Sequence, residues 1–189
     1  ARAGDVRWSD IEPVRGGGYH WEAMAGVDAN IQRLRAAQIE PTLIIQRSPT
    51  WAQRVPGRLC SPPKPEYIAD FARFTHALAA RYSSTVNYWE IWNEPDVAPN
   101  ETSDGTGMGC WLDPSLPDYG GAYYGEVVKQ VAPAIKAANP NAKVIAGALL
   151  YAWPDDSKPR AFLNGILASG AGPVFDMLSF HAYGEWGAG

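Results

Sequence analysis

The sequence predicts an α/β fold in which helices cover a parallel sheet, and three observations support this prediction. Short runs rich in apolar and β-branched residues alternate with longer stretches of helical periodicity, an order typical of repeated βα units. The clearest run, Thr42 to Gln46, is nearly continuous in apolar character, as expected for a strand covered on both faces. The chain has 189 residues, 46% of them hydrophobic, which suits one domain with a large core.

The elements follow one another as strand, helix, strand. The first long helix carries an apolar face at the 3.6-residue period, formed by Met24, Val27, Ile31 and Leu34. Pro65 suits the first position of a helix, and Asn139-Pro140 is a common helix-ending pair. The predicted strands are 5–8, 42–46, 86–92, 143–147 and 175–180, and the predicted helices are 21–38, 65–82, 119–138 and 159–168.

Both a doubly wound sheet and a (β/α)8 barrel satisfy this order of elements. A dinucleotide-binding fold needs a glycine fingerprint between a strand and a helix N-terminus. The Gly-rich stretch 105–109 lies in the middle of a long predicted loop instead. The barrel is favoured because the polar residues of interest fall just after strands, where barrel enzymes place their active sites.

Composition narrows the classes of partner. The net charge is −4, from 16 basic and 20 acidic residues without a basic run, which argues against nucleic acid and anionic membranes. No apolar stretch approaches the ~20 residues that cross a bilayer. Eight Trp and nine Tyr are a heavy aromatic load, and sugar binding is one use for such rings.

The two cysteines and three histidines show no metal-ligand spacing, so we expect neither a metal nor another cofactor. A disulfide between Cys60 and Cys110 would join the loops after two neighbouring strands and would indicate an oxidising compartment. The chain starts at Ala1 with neither an initiator Met nor a signal sequence, so it could be a mature form or a fragment. An extracytoplasmic location is the expectation.

The strongest local signal is the end of the strand predicted at 86–92. Strand alternation places Glu90, Trp92 and Glu94 on one side and Trp89 and Ile91 on the other. On the interior side of a barrel, Glu94 would stand at the rim, and the deeper Glu90 would need a buried partner. A carboxyl group held at a strand end suits proton transfer to a leaving group.

The octapeptide Tyr88-Trp89-Glu90-Ile91-Trp92-Asn93-Glu94-Pro95 resembles the strand-four signature of clan A glycoside hydrolases, nearest to those of families 39 and 5. Other segments resemble the same enzymes, in the same order along the chain. They are Val6-Arg7-Trp8 with Ile11-Glu12-Pro13, Gly18-Tyr19 and Trp21, then Ser48-Pro49-Thr50-Trp51-Ala52, and Ser179-Phe180-His181-Ala182-Tyr183. The resemblance implies strands two to six of a (β/α)8 TIM barrel, with strand one and strands seven and eight outside residues 1–189.

The resemblance also implies roles in a retaining β-glycosidase. Glu94 would be the general acid/base, and Asn93 would hydrogen-bond the 2-hydroxyl of the sugar. Arg7 would lie near the nucleophile, a Glu at the end of strand seven and hence beyond Gly189. The residues expected to line the site or to stack on sugar rings are His181, Tyr183, Trp51, Trp111, Trp153 and Trp186.

Several alternatives stay open at this point. Glu94 could be an ordinary strand-end carboxylate, and Arg7 could pair with Glu90 or Glu12. Glu185, in a Gly-rich tail, fits a solvated loop residue better than a nucleophile. Trp89 is expected in the core, whereas Trp92 could be core or sugar platform. A carbohydrate-binding barrel without a nucleophile and a glycosyl-transferring barrel are the rival functions.

Overall fold

In a computed structural model, which describes residues 1–99, 109–152 and 157–183, five strands form one parallel sheet. Each strand pairs with the next one along the chain, so the spatial order of the strands is their sequence order. This order is the one that a (β/α)8 barrel requires. The strands are β1 (Arg2–Arg7), β2 (Thr42–Gln46), β3 (Tyr88–Ile91), β4 (Lys143–Ala152) and β5 (Met177–Tyr183).

Helices follow the first four strands, and each long one carries an apolar face toward the sheet. Two of them begin with a 3-10 turn, at Trp21–Met24 and at Pro65–Tyr67. The helices are α1 (Trp8–Ile11), α2 (Ala25–Ala36), α3 (Ile68–Arg81), α4 (Gly121–Ala138) and α5 (Ser157–Ala168). None of the helices within the described ranges is long and apolar enough to cross a membrane.

The two faces of the sheet differ in character. The helix-facing side holds the hydrophobic core, whose largest fully buried side chains include Trp8, Trp89, Phe71, Phe74 and Tyr124. On the other face, Asp5, Ile44, Glu90 and Ile145 lie side by side across four strands, as the strand register shows. The polar members of this row lie on the side that would be the interior of a barrel.

The carboxyl ends of β1, β3 and β4 differ from the prediction. β3 ends at Ile91 and not at Trp92, because the backbone of Trp92 is left-handed, with φ of 72°. Trp8 begins α1 instead of ending β1. β4 continues five residues beyond Gly147, through a register irregularity between Gly147 and Leu149. Gly147 has φ of 110°, and a Cβ there would lie 2.5 Å from the carbonyl oxygen of Ser179, so glycine permits this irregularity.

Candidate active site

The segment that follows β3, starting with Trp92 and Asn93, lies against the carboxyl ends of β4 and β5. Trp92 and Glu94 both have left-handed backbones, with φ of 72° and 48°, a conformation uncommon for residues other than glycine. The Trp92 amide donates to the Ile45 carbonyl oxygen at 2.8 Å, and the Glu94 amide donates to that of Ala148 at 3.0 Å. The segment is thus held to the strands on both sides, which offsets the strain of these backbones.

Because of its left-handed backbone, Trp92 departs from the strand alternation that predicted it on the interior side. Its ring is fully buried on the helix side, with edge-to-face contacts to Phe71 and Trp111 at 6.3 and 5.0 Å between ring centres. Its indole Nε1 donates to the Gly109 carbonyl oxygen at 3.2 Å. Trp92 is therefore a core residue that anchors the turn leading to Glu94, and it does not offer a sugar platform.

The side chain of Glu94 points toward β5 and contacts His181. Glu94 Oε1 lies 2.7 Å from His181 Nδ1. Only 4% of the Glu94 side chain is exposed, against 32% of the His181 side chain. The bond needs one proton between the two atoms, so either the carboxyl group or the imidazole Nδ1 is the donor. A buried carboxyl group that shares a proton with a more accessible imidazole can exchange protons with a bound molecule.

A second buried carboxyl group, that of Asp96, lies on the same segment. Both of its oxygens accept the backbone N–H of Leu150 on β4, at 2.9 and 3.0 Å. Burial, with a smaller contribution from the nearby charge of Glu94, raises the pKa of Asp96 to about 7. Sequence reasoning missed Asp96, since an Asp directly after Glu-Pro is also typical of a loop.

Arg2 reaches the candidate site from β1. Its Nη1 donates to Asn93 Oδ1 at 3.3 Å, and its guanidinium also pairs with Asp5. Arg7, predicted to lie near the nucleophile, is exposed at the end of β1, with its Nη1 3.7 Å from Asp10 Oδ2. Its place beside a nucleophile beyond Gly189 stays a prediction. Arg2 escaped notice because it precedes the predicted strand 5–8.

Glu12 and Glu90, the two partners considered for Arg7, are bound elsewhere. Glu12 accepts from the Trp8 indole Nε1 at 2.8 Å and from Arg73 at 3.3 Å, which ties the loop after α1 to α3. Glu90 accepts from the hydroxyl of Ser179, and this supplies the buried partner that it was expected to need. Both carboxylates therefore have structural contacts away from Arg7.

The tryptophans predicted to stack on sugars have different environments. Trp111 is 2% exposed and packs edge-to-face on Trp92 and Tyr124, so its assignment to the binding surface was wrong: its ring belongs to the hydrophobic core. Trp51 is partly exposed, but its ring contacts Trp8 and Tyr67 edge-to-face, and its Nε1 donates to the Glu12 carbonyl oxygen at 3.2 Å. Trp51 thus fastens its loop to the core.

The other predicted positions lie at or outside the limits of the described structure. Tyr183 is the last residue of β5, and its side chain is outside the described part. Trp153, Glu185 and Trp186 also lie outside the described residues. Within residues 1–99, 109–152 and 157–183, no cluster of His, Cys, Asp and Glu side chains is arranged to hold a metal ion.

Cys60 and Cys110 form a disulfide, with their Cα atoms 5.4 Å apart. It joins the loop after β2 to the loop after β3. Next to it, the Cys110 amide donates to the Val97 carbonyl oxygen at 2.8 Å, and the Gly109 amide donates to that of Asn93 at 3.2 Å. These hydrogen bonds therefore connect the disulfide to the segment that carries Glu94.

Comparisons with known proteins identify the fold. The structure is similar to a family 39 glycoside hydrolase from Bacteroides cellulosilyticus WH2, with a TM-score of 0.64 and 20% identity over 95% of this chain and 32% of that one. It also resembles a monomeric β-xylosidase from Caulobacter crescentus CB15, with a TM-score of 0.54 and 24% identity over 88% of this chain and 31% of the other. A xylanase from Paenibacillus barcinonensis matches with a TM-score of 0.56 and 15% identity, over 96% and 53%.

Neither a family model nor a curated protein sequence matches the chain. The fold is nevertheless defined: it is part of a (β/α)8 barrel, the α/β class predicted from the sequence, and its structural neighbours include glycoside hydrolases of clan A. The chain spans about a third to a half of the length of the solved structures named above.

Proposed function

We propose that this chain forms the acid/base side of a retaining β-glycosidase, with Glu94 as the general acid/base. The observation that carries the proposal is the placement of Glu94. Its carboxyl group is buried at the carboxyl edge of a parallel sheet, where barrel enzymes have their active sites, and lies 2.7 Å from an imidazole. The similarity to glycoside hydrolase structures supports a glycosidic substrate.

In a double-displacement mechanism a single group, here Glu94, serves first as the acid and then as the base. In the first step a nucleophilic carboxylate forms a bond to the anomeric carbon, the glycosidic C–O bond breaks, and Glu94 donates its proton to the departing oxygen. In the second step Glu94 removes a proton from water, the water oxygen bonds to the anomeric carbon, and the carboxylate leaves. The proton returns to Glu94, and no cofactor is consumed.

We propose that the nucleophile is a Glu outside residues 1–189. Retaining enzymes hold their two carboxyl groups ~5–5.5 Å apart on opposite sides of the scissile bond. In the described part of the chain, the carboxyl groups nearest to Glu94 along the sequence are already engaged, Glu90 with Ser179 and Asp96 with Leu150. The greater length of the similar barrels leaves room for a further strand that supplies the nucleophile.

Asn93 and Arg2 are proposed to orient the sugar. Donation from Arg2 assigns the oxygen of the Asn93 amide, so the NH2 group points away from Arg2 and can donate to a sugar hydroxyl. We propose an oligo- or polysaccharide or another glycoside as the substrate. The disulfide favours an extracytoplasmic location, because such bonds persist in oxidising compartments.

The test compares Glu94→Gln with the parent enzyme, in the protein with its complete barrel, on pairs of aryl β-glycosides. Loss of the acid should slow substrates with poor leaving groups by roughly 10²–10⁴-fold. Substrates with good leaving groups, such as dinitrophenyl glycosides, need little protonation and should lose much less in the glycosylation step. Glu126→Gln is the matched control, because Glu126 lies on the exposed side of α4 and pairs with Lys129 at 2.7 Å.

Equal losses of Glu94→Gln on both kinds of substrate would contradict the acid/base assignment. If the parent protein binds oligosaccharides but cleaves none, the rival function, a carbohydrate-binding barrel, replaces the enzyme. Covalent trapping with a fluorinated glycoside separates the remaining possibilities: we expect the label on a Glu beyond Gly189, and a label on Glu185 would place the nucleophile inside this chain.

A further inference from the structure

Asp96 closes a ring of contacts that includes the Glu94–His181 pair. Both Asp96 oxygens accept the N–H of Leu150, at 2.9 and 3.0 Å. Leu150 lies directly opposite His181 in the register of β4 and β5. His181 Nδ1 in turn lies 2.7 Å from Glu94 Oε1, and Glu94 is only two residues before Asp96. The position of each member of the ring therefore depends on the others.

The ring exists because β3 ends before β4 does. The last paired residues of these two strands are Ile91 and Ala146, and beyond them β4 has no strand on that side in the described structure. The segment after β3 then makes side-by-side contacts in place of a ladder: the Glu94 amide donates to the Ala148 carbonyl oxygen, and the Leu150 amide donates to Asp96. The Asp96 carboxyl group thus occupies the place of a backbone carbonyl.

We propose that Asp96 is a positioning residue, which replaces the missing strand partner of Leu150 and thereby sets the alignment of His181 with Glu94. The proposal rests on the proposed function of Glu94 as acid/base. It concerns the placement of the acid and not the chemistry itself, since Asp96 contacts neither Glu94 nor His181 by a hydrogen bond in the described structure.

The surroundings of Asp96 favour a side chain that accepts one N–H and is uncharged. Asp96 is 3% exposed, and among the described residues the titratable groups that face it are Glu94 on its own segment, His181 on β5 and Tyr124 on α4. Because Glu94 is an acid beside it, a second fixed negative charge would be unfavourable here. An asparagine should therefore retain the hydrogen bond from the Leu150 N–H to the side chain at position 96, which we call the clamp, since its amide oxygen accepts the same N–H.

The experiment compares Asp96→Asn with Asp96→Leu in the enzyme with its complete barrel. The two replacements have nearly the same shape, but only Asn can accept the Leu150 N–H. We expect Asp96→Leu to lower kcat on a substrate with a poor leaving group by roughly 10–100-fold, because small misplacements of a catalytic group cost about that much. KM should change little, and a substrate with a good leaving group should lose less than threefold. Asp96→Asn should stay within about threefold of the parent on both.

The control for a purely structural effect is Asp118→Leu. Asp118 is also a clamp, accepting the Ala122 N–H at 2.7 Å near the start of α4, and it lies outside the proposed machinery. It should change stability without changing the dependence on the leaving group. If Asp96→Leu does not fold, Asp96→Asn decides alone: a loss above tenfold confined to the poor leaving group overturns the clamp.

The two proposals fail in different ways. If Glu94→Gln shows no dependence on the leaving group, the acid/base function itself is wrong. If Glu94→Gln shows that dependence but Asp96→Leu slows both substrates equally, or neither, then only the positioning role of Asp96 is overturned.

Discussion

His181 and Glu94 lie 87 residues apart in the sequence, yet His181 Nδ1 approaches Glu94 Oε1 to 2.7 Å. β3 and β5 are not neighbours in the sheet, because β4 lies between them. Two features nevertheless bring the residues together: β3 ends early, and the left-handed backbone of Glu94 then directs its side chain toward β4 and β5. The contact depends on the register of β5. His181 stands opposite Leu150, whereas the residues before and after His181 place their side chains on the opposite face of the sheet.

If His181 serves the acid/base cycle, its removal should affect the steps that need a proton. We expect His181→Ala to lower the rate on poor leaving groups by roughly tenfold or more and to change the pH dependence of kcat/KM. His76→Ala is the control, because His76 is exposed in the middle of α3. Unchanged pH profiles in both variants would show that the imidazole takes no part in proton transfer.

The raised pKa of Asp96 makes the stability of the fold depend on pH. A carboxyl group whose pKa is higher in the folded than in the unfolded state contributes stability that is complete below the unfolded value and is lost as the pH rises through the folded value. For Asp96 this window runs from its ordinary value of 3.8 to about 7. A rise of this size corresponds to at most about 4 kcal/mol.

The measurement is the free energy of unfolding of the parent and of Asp96→Asn between pH 4 and 8, by chemical denaturation. Asn does not titrate, so the stability of the parent relative to the variant should fall as the pH increases. A difference between the two proteins that is constant over this range would show that the burial of Asp96 does not perturb its ionisation.

Reduction of the disulfide should loosen the loop next to Glu94. The bond closes a segment with a sequence separation of 50, for which the chain-entropy model gives a stabilisation of roughly 4 kcal/mol. We expect intact mass under non-reducing conditions to be lower by the mass of two hydrogens than after reduction. The double variant Cys60→Ser with Cys110→Ser should unfold at a lower denaturant concentration. Two free thiols after exposure to air would argue against the bond and against an oxidising compartment.

The buried position of Trp111 predicts a loss of stability without a specific loss of sugar binding. Trp111→Ala should cost about 3–5 kcal/mol, as truncation of a buried aromatic side chain does. Trp111→Phe retains much of the packing against Trp92 and Tyr124 and should keep KM within about twofold. A large increase in KM for Trp111→Phe at unchanged stability would restore its assignment to the binding surface.

The hydrophobic pattern predicted the fold well where the sequence of a segment alone reveals how the folded protein buries that segment. The strand at 42–46 has the predicted bounds because its nearly continuous apolar run suits a strand buried on both sides. The pattern could not predict the left-handed turns at Trp92 and Glu94, which neighbouring strands impose through hydrogen bonds. It also placed the end of β4 at Gly147, since a glycine in a strand pattern indicates an end as readily as an irregularity.

Only part of the candidate site could be predicted, because the sequence pattern identifies strand ends but not contacts between strands. Glu94, Asn93 and His181 lie at strand ends that the sequence pattern identifies, and the sheet brings these ends to one edge. Arg2 and Asp96 could not be predicted, because their contacts with Asn93 and Leu150 depend on side chains that cross from one strand to another. Periodicity within single segments carries no information about such contacts.

Rescue of Glu94→Ala by azide tests the central claim most directly. If Glu94 is the acid/base of a retaining enzyme, the variant still forms the covalent intermediate from a substrate with a good leaving group but cannot activate water to release it. Azide needs no base, so it should restore turnover by at least tenfold and give a glycosyl azide of β configuration. An α-glycosyl azide would contradict retention, and turnover by Glu94→Ala that equals the parent without azide would contradict the role of Glu94.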